Sequence, residues 1–168
     1  HWFVCYTEGD FRWRGCEMPV ISEQDKQDLK RRLQKELKAD VTLKLFTQAG
    51  SGLLIIPGRE CRYCKETEEM LKELVSLSPK LHLEVIDFYA KPEEARKLGV
   101  ERIPAIAISA DGKRVLRYYG IPAGYEFVTL LEDIFTVSKG VSPLKVETRK
   151  KLRQVNQAVH LQVFVTPT

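Results

Sequence analysis

Leu53-Leu54-Ile55-Ile56-Pro57-Gly58-Arg59-Glu60-Cys61-Arg62-Tyr63-Cys64 carries an apolar run into two cysteines separated by two residues. Met70, Leu71, Leu74 and Leu77 then recur at three- and four-residue steps, the spacing of one face of a helix. The stretch reads as strand, turn, two cysteines, helix. A cysteine at a helix start sits among unpaired backbone N–H groups and the positive end of the helix dipole. Both favour thiolate over thiol, so its pKa is expected below the free value of about 8.5. Arg59, Arg62 and Lys65 add positive charge, which Glu60 and Glu66 partly oppose. Residues three apart on a helix lie about 5–6 Å from one another, within reach of a disulfide. Such a pair can open and close with little backbone movement.

The 168 residues suffice for one domain with a core and part of a second. Hydrophobic residues make up 43% and charged residues 30%, a balance that fits a globular chain and would also suit a thermophile. The net charge of +4 is modest and both signs are interspersed, so nucleic acid is not expected as a partner. No apolar run reaches the length of a membrane span, so no membrane is expected either. Four cysteines, Cys5, Cys16, Cys61 and Cys64, are too few for a disulfide scaffold of this size. The first residues lack a basic segment followed by an apolar core, and a cytoplasmic location is expected.

Residues 1–17 are rich in aromatics and arginine and show no period. They are expected to be a non-native or disordered extension, with Met18 as the natural start; a docking arm is the alternative. Ser22 reads as a helix cap with Asp25 at the capping-box position, and Leu29, Leu33 and Leu37 as the apolar stripe that follows. Val41 to Thr47 alternates like a strand. After the cysteine helix, Leu81 to Phe88 reads as a second strand, buried because mostly apolar. Pro92 opens a short helix that Gly99 closes. Ala105 to Ile108 and Val115 to Tyr119 read as a hairpin turned at Asp111-Gly112. Phe127, Leu130, Leu131, Ile134 and Phe135 mark a last helix. The expected class is α/β: a mixed central sheet, parallel over its first three strands, with helices on both faces.

The tail repeats a pattern. A helical stretch around Thr148 to Val155 leads to Val159-His160-Leu161-Gln162-Val163-Phe164-Val165-Thr166, which resembles Val41-Thr42-Leu43-Lys44-Leu45-Phe46-Thr47 at an offset of 118 residues. Residues 18–140 are thus expected to form one unit, and 141–168 the first helix and strand of a truncated second copy.

This arrangement resembles the thioredoxin fold. Cys61-Arg62-Tyr63-Cys64 is similar to its active-site motif, and Ile103-Pro104-Ala105 to its cis-proline loop. From about residue 20 onward the chain resembles the protein disulfide oxidoreductases of thermophilic archaea and bacteria, glutaredoxin-like proteins with two thioredoxin units in tandem. Arg117-Tyr118-Tyr119-Gly120-Ile121-Pro122-Ala123-Gly124-Tyr125-Glu126-Phe127 and Val163-Phe164-Val165-Thr166-Pro167-Thr168 carry that likeness. The resemblance implies exchange of disulfides with protein substrates, Cys61 as nucleophile and Cys64 as resolving thiol. The pair would be the redox group, with no other cofactor and no metal, and a thioredoxin-reductase-like enzyme a possible electron donor. Tyr63, Ile103 and a cis Pro104 would meet the substrate.

Two departures stand out. The sequence ends at Thr168, before the place where the family has its second Cys-x-x-Cys, and residues 49–60 exceed the family's usual strand-to-motif link. Which apolar run feeds Cys61, 41–47 or 53–56, is therefore left open. No buried proton-transfer carboxylate or lysine can be picked out. Two rival classes remain. One is a structural zinc site on Cys5, Cys16, Cys61 and Cys64, although His1, His82 and His160 are scattered and Cys5 and Cys16 have the wrong spacing. The other is a binding module that uses the fold as a scaffold.

Overall fold

Val41–Thr47 forms the central strand, β1. Its alternation places Val41, Leu43 and Leu45 on one face of the sheet and Phe46 on the other. The computed structural model describes residues 23–48, 61–112 and 115–163. Ser22, Leu53–Ile56, Cys5, Cys16 and the rest of 1–17 lie outside the described residues.

Helix α1 (Glu23–Glu36) precedes β1, and α2 (Cys64–Ser76), β2 (Leu81–Asp87), α3 (Pro92–Lys97), β3 (Ala105–Ser109), β4 (Leu116–Tyr119), α4 (Tyr125–Lys139) and α5 (Val146–Leu152) follow. The strands lie in the order β2-β1-β3-β4. The main core packs Leu33 and Leu37, Met70, Leu71 and Leu74, and Leu130, Leu131, Ile134 and Phe135 against one sheet face. On the other face Phe46, Ile86, Ala95, Val100, Ala105 and Ala107 close over α3. The expected mixed sheet between helices is present.

Its pairing departs from expectation at β3. Strand β1 pairs β2 in parallel, Val41 opposite Leu81 through Thr47 opposite Asp87. It pairs β3 antiparallel, Phe46 opposite Ala105 and Thr42 opposite Ser109. The cause is length. Six residues of α3 span about 9 Å, whereas a seven-residue strand spans about 23 Å. Helix α3 is thus too short to be the return crossover of a parallel unit, and β3 starts at the end of the sheet where β2 finishes. The hairpin to β4 forms as expected, Ala105 opposite Tyr119.

Strand β2 is not fully buried either. It is an edge strand in which His82, Glu84 and Val85 are exposed while Leu81 and Ile86 face the core. The tail differs more. Helix α5 buries none of its residues. Residues 159–163 form no strand, and Val159, Leu161 and Val163 are 62%, 85% and 84% exposed. Without a neighbouring strand the backbone groups of a β segment stay with water. The rest of that expected strand lies outside the described residues. Among the described residues no helix is long and apolar enough to cross a membrane.

Candidate functional site

Helix α2 begins at Cys64, with Tyr63 as the residue before the first turn. Cys61 therefore lies two residues ahead of that position rather than in the helix. Thr67 closes the first turn, its N–H (3.0 Å) and Oγ1 (2.6 Å) both donating to the Tyr63 carbonyl. Tyr63 supplies no side-chain cap, so the first-turn N–H groups take nothing from it. The Cys61 N–H donates to Gln48 Oε1 at 3.2 Å, which ties the motif to the residue just past β1.

Cys61 and Cys64 are joined as a disulfide, their Cα atoms 5.4 Å apart. The two differ in access: Cys64 is 4% exposed and Cys61 is half-buried. Tyr63 is 45% exposed, and the Arg62 guanidinium lies 5.5 Å over its ring.

The second part of the site is Ile103-Pro104, joined by a cis peptide bond. Pro104 is buried and its carbonyl accepts the Gly120 N–H at 2.9 Å. Ile103 packs against the smaller core cluster. Among the described residues, neither its N–H nor its C=O has a hydrogen-bond partner. Ala105, the next residue after Pro104, pairs with Phe46, and Thr47 and Gln48 follow directly. The motif and the cis peptide thus belong to the same end of the sheet, the carboxyl end of β1.

All five residues singled out from sequence fall on this end. Others there had no sequence signal. Gln48 follows the strand as an ordinary polar residue. Thr47, 1% exposed, ends β1 with no partner for its hydroxyl among the described residues. The buried polar residues among those described are Thr47, Thr67, Ser78 and Ser138, none of them a carboxylate or a lysine. His82 and His160 are exposed and far apart in the chain. Among the described residues no three metal-binding side chains are grouped, and Cys61 and Cys64 are spent on each other.

The described architecture is a thioredoxin-like fold, with a Cys-x-x-Cys disulfide at its helix start and a cis proline before β3. The thioredoxin domain family model matches residues 53–132. A crystal structure of a protein disulfide oxidoreductase from Aeropyrum pernix is 25% identical, with 80% of this chain and 55% of that one covered at a TM-score of 0.65. The NTD_N/C domain of the alkylhydroperoxide reductase AhpF from Enterococcus faecalis is 24% identical, with 79% and 59% covered at the same TM-score of 0.65. The chain thus spans 55–59% of the length of these two solved proteins. No curated protein matches it in sequence.

Proposed function

We propose that this chain is a thiol–disulfide oxidoreductase that exchanges disulfides with protein substrates through Cys61 and Cys64. The observation that carries the reading is the pair itself: a disulfide between a half-exposed and a buried cysteine, against the end of the central strand. In the reduced protein the Cys61 thiolate attacks one sulfur of a substrate disulfide. That bond breaks, and the departing substrate sulfur leaves as a thiolate that takes a proton from solvent. Cys64 then loses its proton and attacks Cys61 Sγ, which releases the second substrate thiol and closes the Cys61–Cys64 bond. Two electrons pass to the substrate and the pair is left oxidised. Run backwards, the same steps oxidise a dithiol.

The roles follow from access. Cys61 is open enough to meet a folded or unfolded chain, while Cys64 is sheltered until the mixed disulfide has formed. Its position next to the uncapped first turn of α2 favours the Cys61 thiolate. Ile103 offers an N–H and C=O that no described residue engages to an extended substrate segment, and Tyr63 offers an exposed ring. The pair is the redox group, and a thioredoxin-reductase-like enzyme is the proposed source of electrons.

The test separates the two thiols. Cys61→Ser abolishes dithiothreitol-driven reduction of insulin. Cys64→Ser accumulates mixed disulfides with substrate, visible on a non-reducing gel. Equal trapping by both variants, or no activity in the unaltered chain, overturns the assignment.

A further inference from the structure

Strand β4 grips the loop that carries Ile103 with side chains as well as backbone. Arg117 Nη1 donates to the Leu98 carbonyl at 2.9 Å. The Tyr119 hydroxyl donates to the Gly99 carbonyl at 3.1 Å. The Arg102 guanidinium lies 4.7 Å over the Tyr119 ring, and the Gly120 N–H holds the Pro104 carbonyl. Gly99 makes room for this. Its φ is +63°, and a Cβ there would sit 2.5 Å from Arg117 Nη1. The loop is thus held at its start, at Arg102 and at its end, with Ile103 between the last two holds.

The Tyr119 ring packs against the apolar cluster on that face, but its hydroxyl bond and the Arg117 bond lie outside that cluster, and Arg117 is exposed. Glu101 and Arg102 are exposed and Ile103 is half-buried, so backbone between Val100 and Pro104 has freedom to lose. The guanidinium also sits at the carboxyl end of α3, where positive charge meets unpaired carbonyls.

We propose that Arg117 and Tyr119 are positioning residues that hold Ile103 in register for an extended polypeptide substrate. This rests on the oxidoreductase reading above. A small disulfide needs only the Cys61–Cys64 pair, whereas a polypeptide disulfide also uses the Ile103 backbone, so loosening the loop penalises the polypeptide alone.

The experiment compares reduction of insulin and of bis(hydroxyethyl) disulfide by the whole chain and its variants. Arg117→Ala is expected to raise KM for insulin by roughly three- to tenfold, the worth of one ordinary hydrogen bond at an exposed position, with kcat unchanged. Its rate with the small disulfide stays at that of the unaltered chain. Arg117→Lys, which keeps a donor, restores most of the loss. Gly99→Ala displaces Arg117 and gives the same selective effect, and adding Arg117→Ala to it costs little more. Tyr119→Phe, which keeps the ring, provides a milder variant if Arg117→Ala folds poorly. An unchanged insulin KM in Arg117→Ala and Tyr119→Phe, or an equal fall with both substrates, overturns the positioning role while leaving the thiol chemistry standing. An unaltered chain that reduces neither substrate overturns the oxidoreductase reading and this role with it.

Discussion

Ser138 offers a sharp test of how the long-range contacts hold the fold. It lies in the last turn of α4 and is 4% exposed. Its hydroxyl accepts the N–H groups of Lys38 at 2.9 Å and Ala39 at 3.0 Å, and donates to the Ala39 carbonyl at 2.8 Å. One side chain thus satisfies the backbone between α1 and β1. Ser138→Ala strips three hydrogen bonds, each worth about 0.5–1.5 kcal/mol net. Lys38 and Ala39 are exposed, so water recovers part of that, and a loss of about 1.5–3 kcal/mol is expected. For a chain of this size the midpoint of thermal unfolding falls by roughly 3–12 °C. Ser142, whose hydroxyl accepts a single long bond from the Leu144 N–H at 3.3 Å, serves as control, and Ser142→Ala should stay within about 0.5 kcal/mol. Urea unfolding followed by circular dichroism, with the disulfide kept closed, reads both. If Ser138→Ala matches Ser142→Ala, water replaces the hydroxyl without loss and the reasoning fails.

Two further outcomes concern other groups. Hydrogen bonds from Lys139 first, then Arg32, hold the Glu36 carboxyl at about 2 against an ordinary 4.5. Its stabilisation is fully present above pH 4.5, shrinks as pH falls towards 2, and is gone below that. Glu36→Gln should therefore cost about 1 kcal/mol at neutral pH after allowance for solvent screening. The difference from the unaltered chain should vanish in acid; a gap that persists at pH 2 would count against the ion pair. Thr47→Val exchanges a buried hydroxyl that has no partner among the described residues for a methyl and is expected to stabilise by about 1 kcal/mol. A clear loss of stability in urea would mean that the hydroxyl is bonded after all.

The sequence was most legible where a period or a motif repeats a physical constraint. Leu33 and Leu37 and the set Leu130, Leu131, Ile134 and Phe135 were read as apolar faces because helical spacing has one buried side, and all are in the core. Strand β2 is where its sequence puts it, but its burial was not legible, because Leu81, Leu83, Val85 and Ile86 are compatible with either the centre or the edge of a sheet; Val85 is 42% exposed. Residues 159–163 form no strand for a related reason, although the helix expected ahead of them is present as α5. Their alternation is that of β1, but alternation makes a strand only beside another strand. Single bonds between a side chain and distant backbone left no trace. Gln48 meets a residue 13 positions away, Arg117 one 19 away, and Ser138 one 100 away. Each is one polar residue among many, with no period to mark it.

The misread direction of β3 matters more for function than for the fold. Either direction would give four strands between helices. In the observed antiparallel pairing Ala105 lies opposite Phe46, so Pro104 comes to the end of β1 where Gln48 holds Cys61. Had β3 run parallel to β1, its first residue would have lain near Val41, six residues from Thr47 and about 20 Å down the strand. The Ile103 backbone would then be out of reach of any segment bonded to Cys61. The antiparallel run of β3 is thus what makes the two halves of the site one. Lengthening the connection between β2 and β3 is tolerable only where it leaves that register intact, and the side chains of β4 that hold Leu98 and Gly99 act on the same segment.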